Sequence, residues 1–561
     1  MRVRTLTIGA IAVAATATRV AAAESTETRP NIIFILTDDQ RYDYLGCTGN
    51  PIVETPNIDK LAAEGVLFHN AHVSSAISTP SRTCILTGQF ERSHGVNFNS
   101  GTALSREAWE DCYPMVLRRG GYYTGYIGKN HTPIGEKSYE TGIIDNSFDY
   151  WYASHDHILF YPKNRHPIYK GAKNDTQVEI LEEGVQDFLN PNERNLEGAV
   201  HFLDSRPTDK PFFLNVCFNL PHAASTSTMR QLDSDPELYK SKYRDIDIPL
   251  PKNYVAKADI VAPKLPADVL QVENRQVGYN YVDTPELLKE RVIREYQAVT
   301  GIDKLVGKLV AELKKQGLDK NTIIIFASDH GIFKGEYGLG GKALCYEICT
   351  KIPMIVYDPR APKSQRGVDN DELVLTIDIS KSILDYAGLE APKTYQGESL
   401  IPMLNGEKES VRDYLFTENL WSTSFGNPYC ESVQNKEWKY IRYYKNTNQS
   451  SLHQQEVIKE MGLAANGVYV VDKTYRSLFD YRRYANSRLN TGEEPVYEEL
   501  YNIKDDPYEA VNLITNNYNA SLLEKMREEC DNQLRYARGT GAPRVNVITL
   551  DYTPAPTPKK K

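Results

Sequence analysis

The sequence predicts an α/β fold in which helices flank a large, mostly parallel central sheet, with a smaller α+β subdomain at the C-terminus. Two observations lead to this prediction. Short runs of residues are apolar on both faces, which is typical of central strands covered by helices on each side. Strand-like and helix-like stretches also alternate from residue 31 to about residue 410, as they do in parallel sheets. The clearest apolar runs are 31–36, 122–127, 212–218 and 322–327.

Charged residues follow each of these four runs closely. In a sheet covered on both faces, ligands bind at the carboxyl ends of the strands. Asp and Gly after a strand are also ordinary turn formers, so one such pair alone is weak evidence. Charged residues after four separate predicted strands, all at one edge of the sheet, favour a functional site. The residues concerned are Asp38, Asp39, Lys129, His131, His222, Asp329 and His330, with Lys342 a little further along the chain.

The segment that begins at Ser78 predicts a helix. Ser78 and Thr79 can cap it, Pro80 fits its first turn, and a glycine at position 88 would end it. The helix N-terminus offers free N–H groups to an anion, and Arg82 adds a fork of donors one turn later. An ordinary capped helix gives the same pattern. Because no Gly-x-Ser-x-Gly turn surrounds Ser78, a serine-hydrolase triad is disfavoured, and the hydroxyl needs a base or a metal for activation.

The C-terminal part of the chain predicts a smaller subdomain. Residues 382–388 are typical of a last helix and its stop in the large domain. Aromatic, strand-like stretches follow at 438–444 and 498–501, and the apolar spacing over 520–537 predicts a helix. We therefore predict a large domain over 24–410, a smaller subdomain over 411–545 and a disordered tail over 546–561.

The first 23 residues are typical of a secretory signal peptide. A basic start at Arg2 and Arg4 precedes an apolar stretch over 6–17 and small residues over 21–23. The protein is therefore expected to be exported, to the periplasm or to the medium. No stable membrane anchor is expected, because no cysteine follows the apolar stretch directly and no later run reaches the roughly 20 apolar residues of a membrane span.

Composition narrows the range of partners. The formal net charge of −9 at pH 7 argues against general nucleic-acid binding. It also means that an anionic substrate would need local cationic groups, because the global field does not attract it. The eight cysteines form no metal-binding pattern. Most are expected to be buried thiols, although an even number in an exported protein also permits disulfides.

Residues 78–88 carry a specific motif. The stretch Ser78-Thr79-Pro80-Ser81-Arg82-Thr83-Cys84-Ile85-Leu86-Thr87-Gly88 matches (Cys/Ser)-x-Pro-(Ser/Ala)-Arg, then three residues, then Leu-Thr-Gly. On this motif the chain resembles the type I, formylglycine-dependent sulfatases of the alkaline-phosphatase superfamily, in their serine-type bacterial form. The resemblance covers nearly the whole chain after the leader and implies an alkaline-phosphatase-like sheet. Supporting matches are Thr37-Asp38-Asp39-Gln40, Gly128-Lys129-Asn130-His131, Ser328-Asp329-His330-Gly331, Gly341-Lys342 and Glu499-Leu500-Tyr501-Asn502.

The resemblance implies covalent chemistry at Ser78. This residue would be oxidised after translation to formylglycine, an aldehyde whose hydrate attacks sulfur with one hydroxyl and expels sulfate with the other. A serine here implies a serine-type radical maturation enzyme as a partner during biosynthesis, and a bacterial host. The resemblance also implies one Ca²⁺. Carboxylates suit this hard cation, whereas the imidazole leaves the choice of metal open. Its ligands, with an oxygen of residue 78, would be Asp38, Asp39, Asp329 and His330.

The resemblance gives the remaining site residues roles toward the substrate. Lys129 and Lys342 would bind the sulfate oxygens and stabilise charge in the transition state. Arg82 and His131 would orient and polarise residue 78. His222 would protonate the leaving alcohol. The stretch 154–156, Ser-His-Asp, also resembles a family segment near the site.

The sequence predicts the substrate less sharply than the site. Residues 151–180 are rich in aromatic and basic side chains, which suit a sulfated sugar or polysaccharide but equally a surface insertion packed by its own rings. The long polar stretch 225–290 is a second candidate for shaping a subsite. A phosphonate monoester or phosphodiester hydrolase could use the same motif. A non-enzymatic sulfated-glycan binding protein would lack some catalytic groups, all of which are present, and a zinc phosphatase would need a second metal cluster that the sequence does not reveal.

Overall fold

The computed structural model describes residues 29–97, 102–186, 196–270, 278–420, 427–444, 492–515, 520–541 and 543–547. The predicted signal peptide and most of the predicted tail lie outside the described residues. Within the described ranges, no helix combines the length and the apolar character that crossing a membrane requires. All eight cysteines are described, and they are free thiols of which seven are buried, so the prediction of buried thiols is confirmed for these seven.

Strands and helices alternate through most of the described chain. The strands are β1 (Asn31–Asp38), β2 (Val66–His72), β3 (Thr102–Leu104), β4 (Tyr123–Asn130), β5 (Tyr150–His155), β6 (Val185–Gln186), β7 (Leu196–Glu197), β8 (Phe212–Pro221), β9 (Thr322–Ser328), β10 (Phe333–Lys334), β11 (Gly340–Gly341), β12 (Met354–Tyr357), β13 (Val368–Leu375), β14 (Leu415–Asn419), β15 (Tyr429–Gln434), β16 (Trp438–Tyr444), β17 (Tyr497–Asn502) and β18 (Val545–Val547). The helices are α1 (Pro56–Glu64), α2 (Ser78–Thr87), α3 (Glu91–His94), α4 (Arg106–Glu110), α5 (Tyr113–Arg119), α6 (Gln177–Glu183), α7 (Ala199–Ser205), α8 (Ala267–Leu270), α9 (Pro285–Lys315), α10 (Glu347–Thr350), α11 (Ile377–Tyr386), α12 (Ile401–Leu404) and α13 (Ala520–Arg538).

An eight-stranded sheet forms the centre of the molecule, in the order β13-β2-β12-β9-β1-β8-β4-β5. β1 is parallel to both of its neighbours, β8 and β9, and only β12 in this sheet runs against the strands beside it. The four predicted apolar runs are β1, β4, β8 and β9, so the mostly parallel α/β fold is confirmed. The parallel strands direct their carboxyl ends to one edge of the sheet.

Helices cover both faces of this sheet. Ile32 and Phe34 of β1 pack in one apolar cluster, whereas Ile33 and Ile35 pack in another. The first cluster contains residues of α2, α5 and α11, and the second contains residues of α1, α6, α7 and α9. Because successive residues of β1 face opposite clusters, the strand is apolar throughout.

A four-stranded antiparallel sheet follows, in the order β14-β15-β16-β17. α13 packs against it, with Met526, Cys530, Leu534 and Ala537 buried in a third apolar cluster. The predicted strands at 438–444 and 498–501 and the predicted helix over 520–537 are therefore confirmed. The division of the chain between the two domains stays a prediction, and one correction applies at the C-terminus.

That correction concerns the start of the predicted tail. Residues 546 and 547 are not disordered, because they belong to β18, which pairs antiparallel with β3 of the large domain. Val545 and Val547 are β-branched and suit a strand. The described chain thus returns from the smaller subdomain to the large one.

Candidate active site

The predicted site residues converge at the carboxyl edge of the large sheet. Thr37 of β1 lies opposite Ser328 of β9, and Asp38 lies opposite Pro221 of β8. The groups at and after the ends of these three strands are therefore neighbours. Asp39 follows β1 with a φ of 60°, in the left-handed region that Asp adopts more readily than most residues.

Asp38, Asp39, Asp329 and His330 form a compact group, which we call the acid cluster. All four are buried, and each offers one ligand atom such that these atoms all lie within 4.8 Å of one another. Carboxylates at this spacing repel one another unless cations lie among them. Carboxylate oxygens are the ligands that hard divalent cations prefer. The acid cluster is therefore a candidate metal centre.

Ser78 lies inside this cluster. It is the first residue of α2, but its side chain does not cap the helix, contrary to the prediction. The hydroxyl instead donates to Asp38 Oδ1 at 3.1 Å and lies 3.2 Å from His330 Nε2. The other nitrogen of His330, Nδ1, lies 3.0 Å from the carbonyl oxygen of Gly331 and can donate to it. That bond leaves a lone pair on Nε2, on the side of the site where a metal could bind it.

Two lysines contact the carboxylates at the end of β1. Lys129 Nζ donates to Asp38 Oδ2, and Lys342 Nζ donates to Asp39 Oδ1 at 2.7 Å. Burial favours the neutral acid at Asp38, but the charges of Lys129 and Arg82 outweigh it and hold the pKa of this carboxyl well below its usual range. Burial also opposes the charge of Lys342, whereas Asp39 and Asp38 raise its pKa above the ordinary value. Asp38 and Lys342 are therefore both ionised at neutral pH.

Arg82 binds the other side of the cluster. Its Nε donates to Asp329 Oδ2 at 2.9 Å, and its Nη2 donates to the carbonyl of Phe218 at 3.1 Å. Nη2 also lies 3.4 Å from Asp38 Oδ2. The buried Nη1 has no hydrogen-bond partner among the described residues. A buried guanidinium N–H without a partner suits a site that receives an anion.

Two predicted histidines border the cluster. The backbone N–H of His222 donates to the carbonyl of Asp38 at 3.1 Å, and its Nε2 lies 3.8 Å from Asp39 Oδ2. Its side chain is 30% exposed, so this side of the site is open. His131 is buried, with Nε2 3.4 Å from Asp156 Oδ1. Burial first, and then the charge of Lys129, lowers the pKa of His131 well below its ordinary value.

The segment 154–156 divides between the site and its surroundings. Asp156, with a φ of 62°, lies against His131 and also pairs with Arg165 at 3.0 Å. His155 contacts the amide of Asn130 at 2.9 Å and Asp145 at 2.9 Å instead. Only the aspartate of this pair therefore borders the site.

The structure adds neighbours that the sequence did not single out. Tyr279, from the predicted polar insertion, lies against β11, where a Cβ on Gly341 would be 2.3 Å from its ring. Lys342 is the next residue along the chain. Asn219 lies within β8, with Oδ1 3.3 Å from Nδ1 of His157. Tyr279 follows no apolar run. Asn219 is uncharged but directly follows the apolar run 212–218, so its position at the sheet edge could have been noticed from the sequence.

Comparisons with known proteins identify the family of this chain. The profile of the family described as Sulfatase matches residues 30–389. A second profile, described as N-sulphoglucosamine sulphohydrolase, C-terminal, matches residues 335–469. The first match covers well over half of the chain and contains all the site residues named above.

Curated relatives are sulfatases of similar length. The chain is 27% identical over 508 residues to an arylsulfatase of Clostridium perfringens, covering 84% of this chain and 96% of the relative. It is 27% identical over 478 residues to an N-acetylglucosamine-6-O-sulfatase of Bacteroides thetaiotaomicron, covering 76% and 80%. It is 26% identical over 518 residues to the N-acetylglucosamine-6-sulfatase of Homo sapiens, covering 89% and 83%.

Solved structures share the fold. A protein in complex with its substrate D-glucosamine-2-N,6-O-disulfate superposes with a TM-score of 0.61 at 21% identity, over 92% of this chain and 99% of the other. A phosphonate monoester hydrolase of Agrobacterium radiobacter superposes with a TM-score of 0.61 at 20% identity, over 90% and 96%. These likenesses establish the architecture, and the match to the family profile establishes the lineage. The chain belongs to the sulfatase family and is a sulfuric ester hydrolase.

Proposed function

We propose that this enzyme hydrolyses a sulfate ester on a sulfated sugar or polysaccharide, with Ser78 converted to formylglycine as the nucleophile and one Ca²⁺ beside it. The position of Ser78 carries the proposal. Its hydroxyl lies 3.1 Å from Asp38 Oδ1 and 3.2 Å from His330 Nε2, inside the acid cluster. Relatives named N-acetylglucosamine-6-O-sulfatase and ulvan-active sulfatase support a sugar as the alcohol part of the ester.

The acid cluster fits a divalent cation. Its three carboxylates are balanced by the three cations Lys129, Arg82 and Lys342, which contact them from outside. A divalent cation held by the cluster would therefore leave the whole site positive, as binding of an anionic ester requires. When bound, the ion would supply positive charge beside the oxygen of residue 78 and so favour its attack.

The three outer cations bind and stabilise the sulfate group in this proposal. Lys129 and Lys342 contact the two carboxylates at the end of β1, next to residue 78, and can share their N–H groups with sulfate oxygens. The buried Nη1 of Arg82 is a further donor. Preorganised donors of this kind stabilise charge that develops in the transition state, and each typically contributes about a hundredfold or more to turnover.

His222 is the proposed general acid. Its ring borders the acid cluster and is partly exposed, so it can contact the alcohol part of a bound ester. A sugar alkoxide is a poor leaving group and needs a proton, which a positioned histidine can deliver in its protonated form. Burial first, and then the charge of Lys342, lowers the pKa of His222 well below its ordinary value, so the bound anionic ester has to favour the protonated form. His131, buried beside Asp156, is proposed to orient residue 78 from the other side.

Two further parts of the proposal concern biosynthesis. Conversion of Ser78 requires an oxidising maturation enzyme, and we propose one of the serine-type radical class. The leader over 1–23 is proposed to direct export to the periplasm or the medium. The substrate would then be met outside the cytoplasm.

Mass spectrometry of the peptide that contains residue 78 tests the nucleophile. In protein from a host with a serine-competent maturation enzyme, we expect a loss of about 2 Da at Ser78 and release of sulfate from a sulfated glycan panel. Protein made without that enzyme should keep the serine mass and be nearly inactive. Full activity with unmodified Ser78 would overturn the proposed nucleophile.

The metal and the substrate class have separate readouts. Elemental analysis of the purified enzyme should find one calcium per chain, and a different metal at that stoichiometry would correct the cofactor. Turnover of a sulfate ester, a phosphodiester and a phosphonate monoester by one preparation tests the ester class. Preference for the phosphorus esters would favour the phosphonate hydrolase alternative.

A further inference from the structure

His157 contacts the proposed acid, His222, although nothing in the sequence predicts that these two residues meet. It lies in the loop after β5, and its ring stacks on that of His222 with centroids 4.8 Å apart and planes 8° apart. On its other side it meets the ring of His131 edge-on, with centroids 5.0 Å apart and planes 61° apart. The three imidazoles thus form a continuous row, in which His157 and His222 are partly exposed and His131 is buried.

The ring of His222 has few other restraints. Its backbone is fixed, because its N–H donates to the carbonyl of Asp38 and its own carbonyl accepts from Arg291 Nη2 at 2.8 Å. The described residues provide no hydrogen bond to the ring, and the one ion-pair distance they give it is 3.8 Å, from Nε2 to Asp39 Oδ2. The ring of His157 stacked on it is therefore a restraint on rotation of the side chain.

His157 itself is held at its Nδ1, which lies 3.3 Å from Asn219 Oδ1 and 3.5 Å from Lys129 Nζ. One ring nitrogen cannot donate to the first and accept from the second at once, and the tautomer with a proton on Nδ1 bonds Asn219. Asn219 is fixed in turn, since its Nδ2 donates to the carbonyl of Ile158 at 2.8 Å and its backbone N–H donates to Gln177 Oε1 at 2.9 Å. The restraint therefore runs from α6 and β8 to the ring of His157.

We infer that His157 is a positioning residue, whose stacked ring holds the imidazole of His222 in the plane that directs Nε2 toward the leaving oxygen of the ester. The inference rests on the proposed function for the role of His222. It assigns His157 no contact with the sulfate group. A displacement of a proton donor by about 1 Å can reduce turnover roughly a hundredfold, so a fixed ring plane has a measurable consequence.

The kinetic test compares esters with poor and good leaving groups. We expect His157→Ala to lower kcat about tenfold for a sugar sulfate and to leave KM and the turnover of an activated aryl sulfate within about twofold. His157→Phe keeps a flat ring of similar size and should recover most of the lost kcat. Equal losses for both esters, a change confined to KM, or no recovery with phenylalanine would each overturn the inference.

A double-mutant cycle tests whether His157 acts through His222. In the His222→Ala background, His157→Ala should change the turnover of the sugar sulfate by less than about twofold, because the positioned group is gone. An undiminished tenfold loss would show that His157 acts independently and would overturn the inference. His69→Ala is the matched control, since His69 is a partly buried histidine whose ring contacts Tyr42 at 2.6 Å and Asp369 at 2.9 Å, neither of which belongs to the acid cluster.

A crystal structure of His157→Ala gives a reading that does not depend on activity. We expect the ring of His222 to leave the plane it has in the wild-type enzyme, or to adopt more than one rotamer. An unchanged, single orientation would overturn the positioning role. Failure of the wild-type enzyme to release sulfate would count against the proposed function, whereas this structural outcome counts for or against the inference alone.

Discussion

Two groups of buried charges in this molecule are arranged in opposite ways. The acid cluster at the sheet edge brings like charges together and keeps its cations outside. The second group, which we call the interface cluster, alternates opposite charges between α3 and the four-stranded sheet. There Arg92 bonds Glu418 and, at 2.8 Å, Glu431, and Arg442 Nε donates to Glu431 at 2.7 Å.

The difference separates a ligand site from a structural one. In the interface cluster each carboxylate has an arginine as its direct neighbour, and the side chain of Arg92 is wholly buried, so no charge faces an opening. In the acid cluster four ligand atoms converge within 4.8 Å, and His222 beside them is 30% exposed. The burial of charged residues alone therefore does not distinguish a ligand site from a structural one. Converging like charge beside an opening indicates a bound cation, and alternating charge indicates a fixed interface.

The largest expected effect is at residue 78. Ser78→Ala should lower sulfate release at least about a thousandfold, because the proposed nucleophile is lost, and should leave the unfolding midpoint nearly unchanged. Sulfate release and thermal unfolding measured on the same preparation test this. The conservative Thr79→Ser change is the control and should keep activity. Residual turnover above a tenth of wild type in Ser78→Ala would remove this residue from the chemistry.

The acid cluster should respond to the loss of one carboxylate. Asp329→Asn should reduce bound calcium and lower turnover at least about a hundredfold, since a metal typically supplies several kcal/mol of transition-state stabilisation. Elemental analysis and initial rates, each with and without a calcium chelator, provide the measurement. A chelator should reduce the wild-type rate in the same way. Unchanged calcium content together with unchanged turnover would refute the ligand assignment.

These two expectations rest on features that the sequence already contained. β1, β4, β8 and β9 were predicted from their apolar runs, and the acids after β1 and β9 were placed at one edge by the topology of parallel sheets. The motif after β2 then supplied Ser78 and Arg82. Local patterns sufficed because each group lies at or near the end of a strand.

The remaining features depend on contacts that no local pattern encodes. Arg92 reaches Glu418, which is 326 residues away in the sequence, and a charged residue in a four-residue helix gives no hint of that partner. The pairing of β18 with β3 likewise joins two distant segments of the chain, and no local pattern predicts it. The stack of His157 on His222 requires the loop after β5 to fold over β8. The helix cap predicted at Ser78 failed because the hydroxyl donates to Asp38 instead.

Loss of the proposed acid, His222, should reduce kcat/KM by an amount that depends on the leaving group of the ester. His222→Ala should lower kcat/KM about a hundredfold for a sugar sulfate, whereas an activated aryl sulfate, whose leaving group needs little help, should lose less than about tenfold. Lys342→Ala should reduce both alike, because it acts on the sulfate group. Kinetics of both variants on both esters decide this. Equal losses for His222→Ala across leaving groups would leave His222 as a binding residue.

The interface cluster should respond in stability and not in chemistry. Arg92→Met leaves Glu418 buried without its arginine, whereas Glu431 keeps Arg442. Breaking a buried pair in this way typically costs about 3 to 5 kcal/mol of unfolding free energy. Urea unfolding should show this loss, while kcat per folded molecule stays close to wild type. Adding Glu418→Gln to Arg92→Met should restore part of the stability, because one uncompensated charge is removed. A lowered kcat in folded Arg92→Met would mean that the cluster reaches the site.

The smallest expected effect comes from an exposed pair of the same chemistry. Arg119 Nη1 lies 2.9 Å from Glu110 Oε2, and the two side chains are 51% and 48% exposed. Water already solvates both charges, so Arg119→Gln should change the unfolding free energy by less than about 1 kcal/mol and leave sulfate release unchanged. Arg92→Met and Arg119→Gln both replace an arginine that pairs with glutamate, and they differ in burial. Urea unfolding of the two variants in parallel therefore isolates the effect of burial. Equal losses would contradict the view that enclosure makes the interface cluster structural, whereas a difference of several kcal/mol would support it.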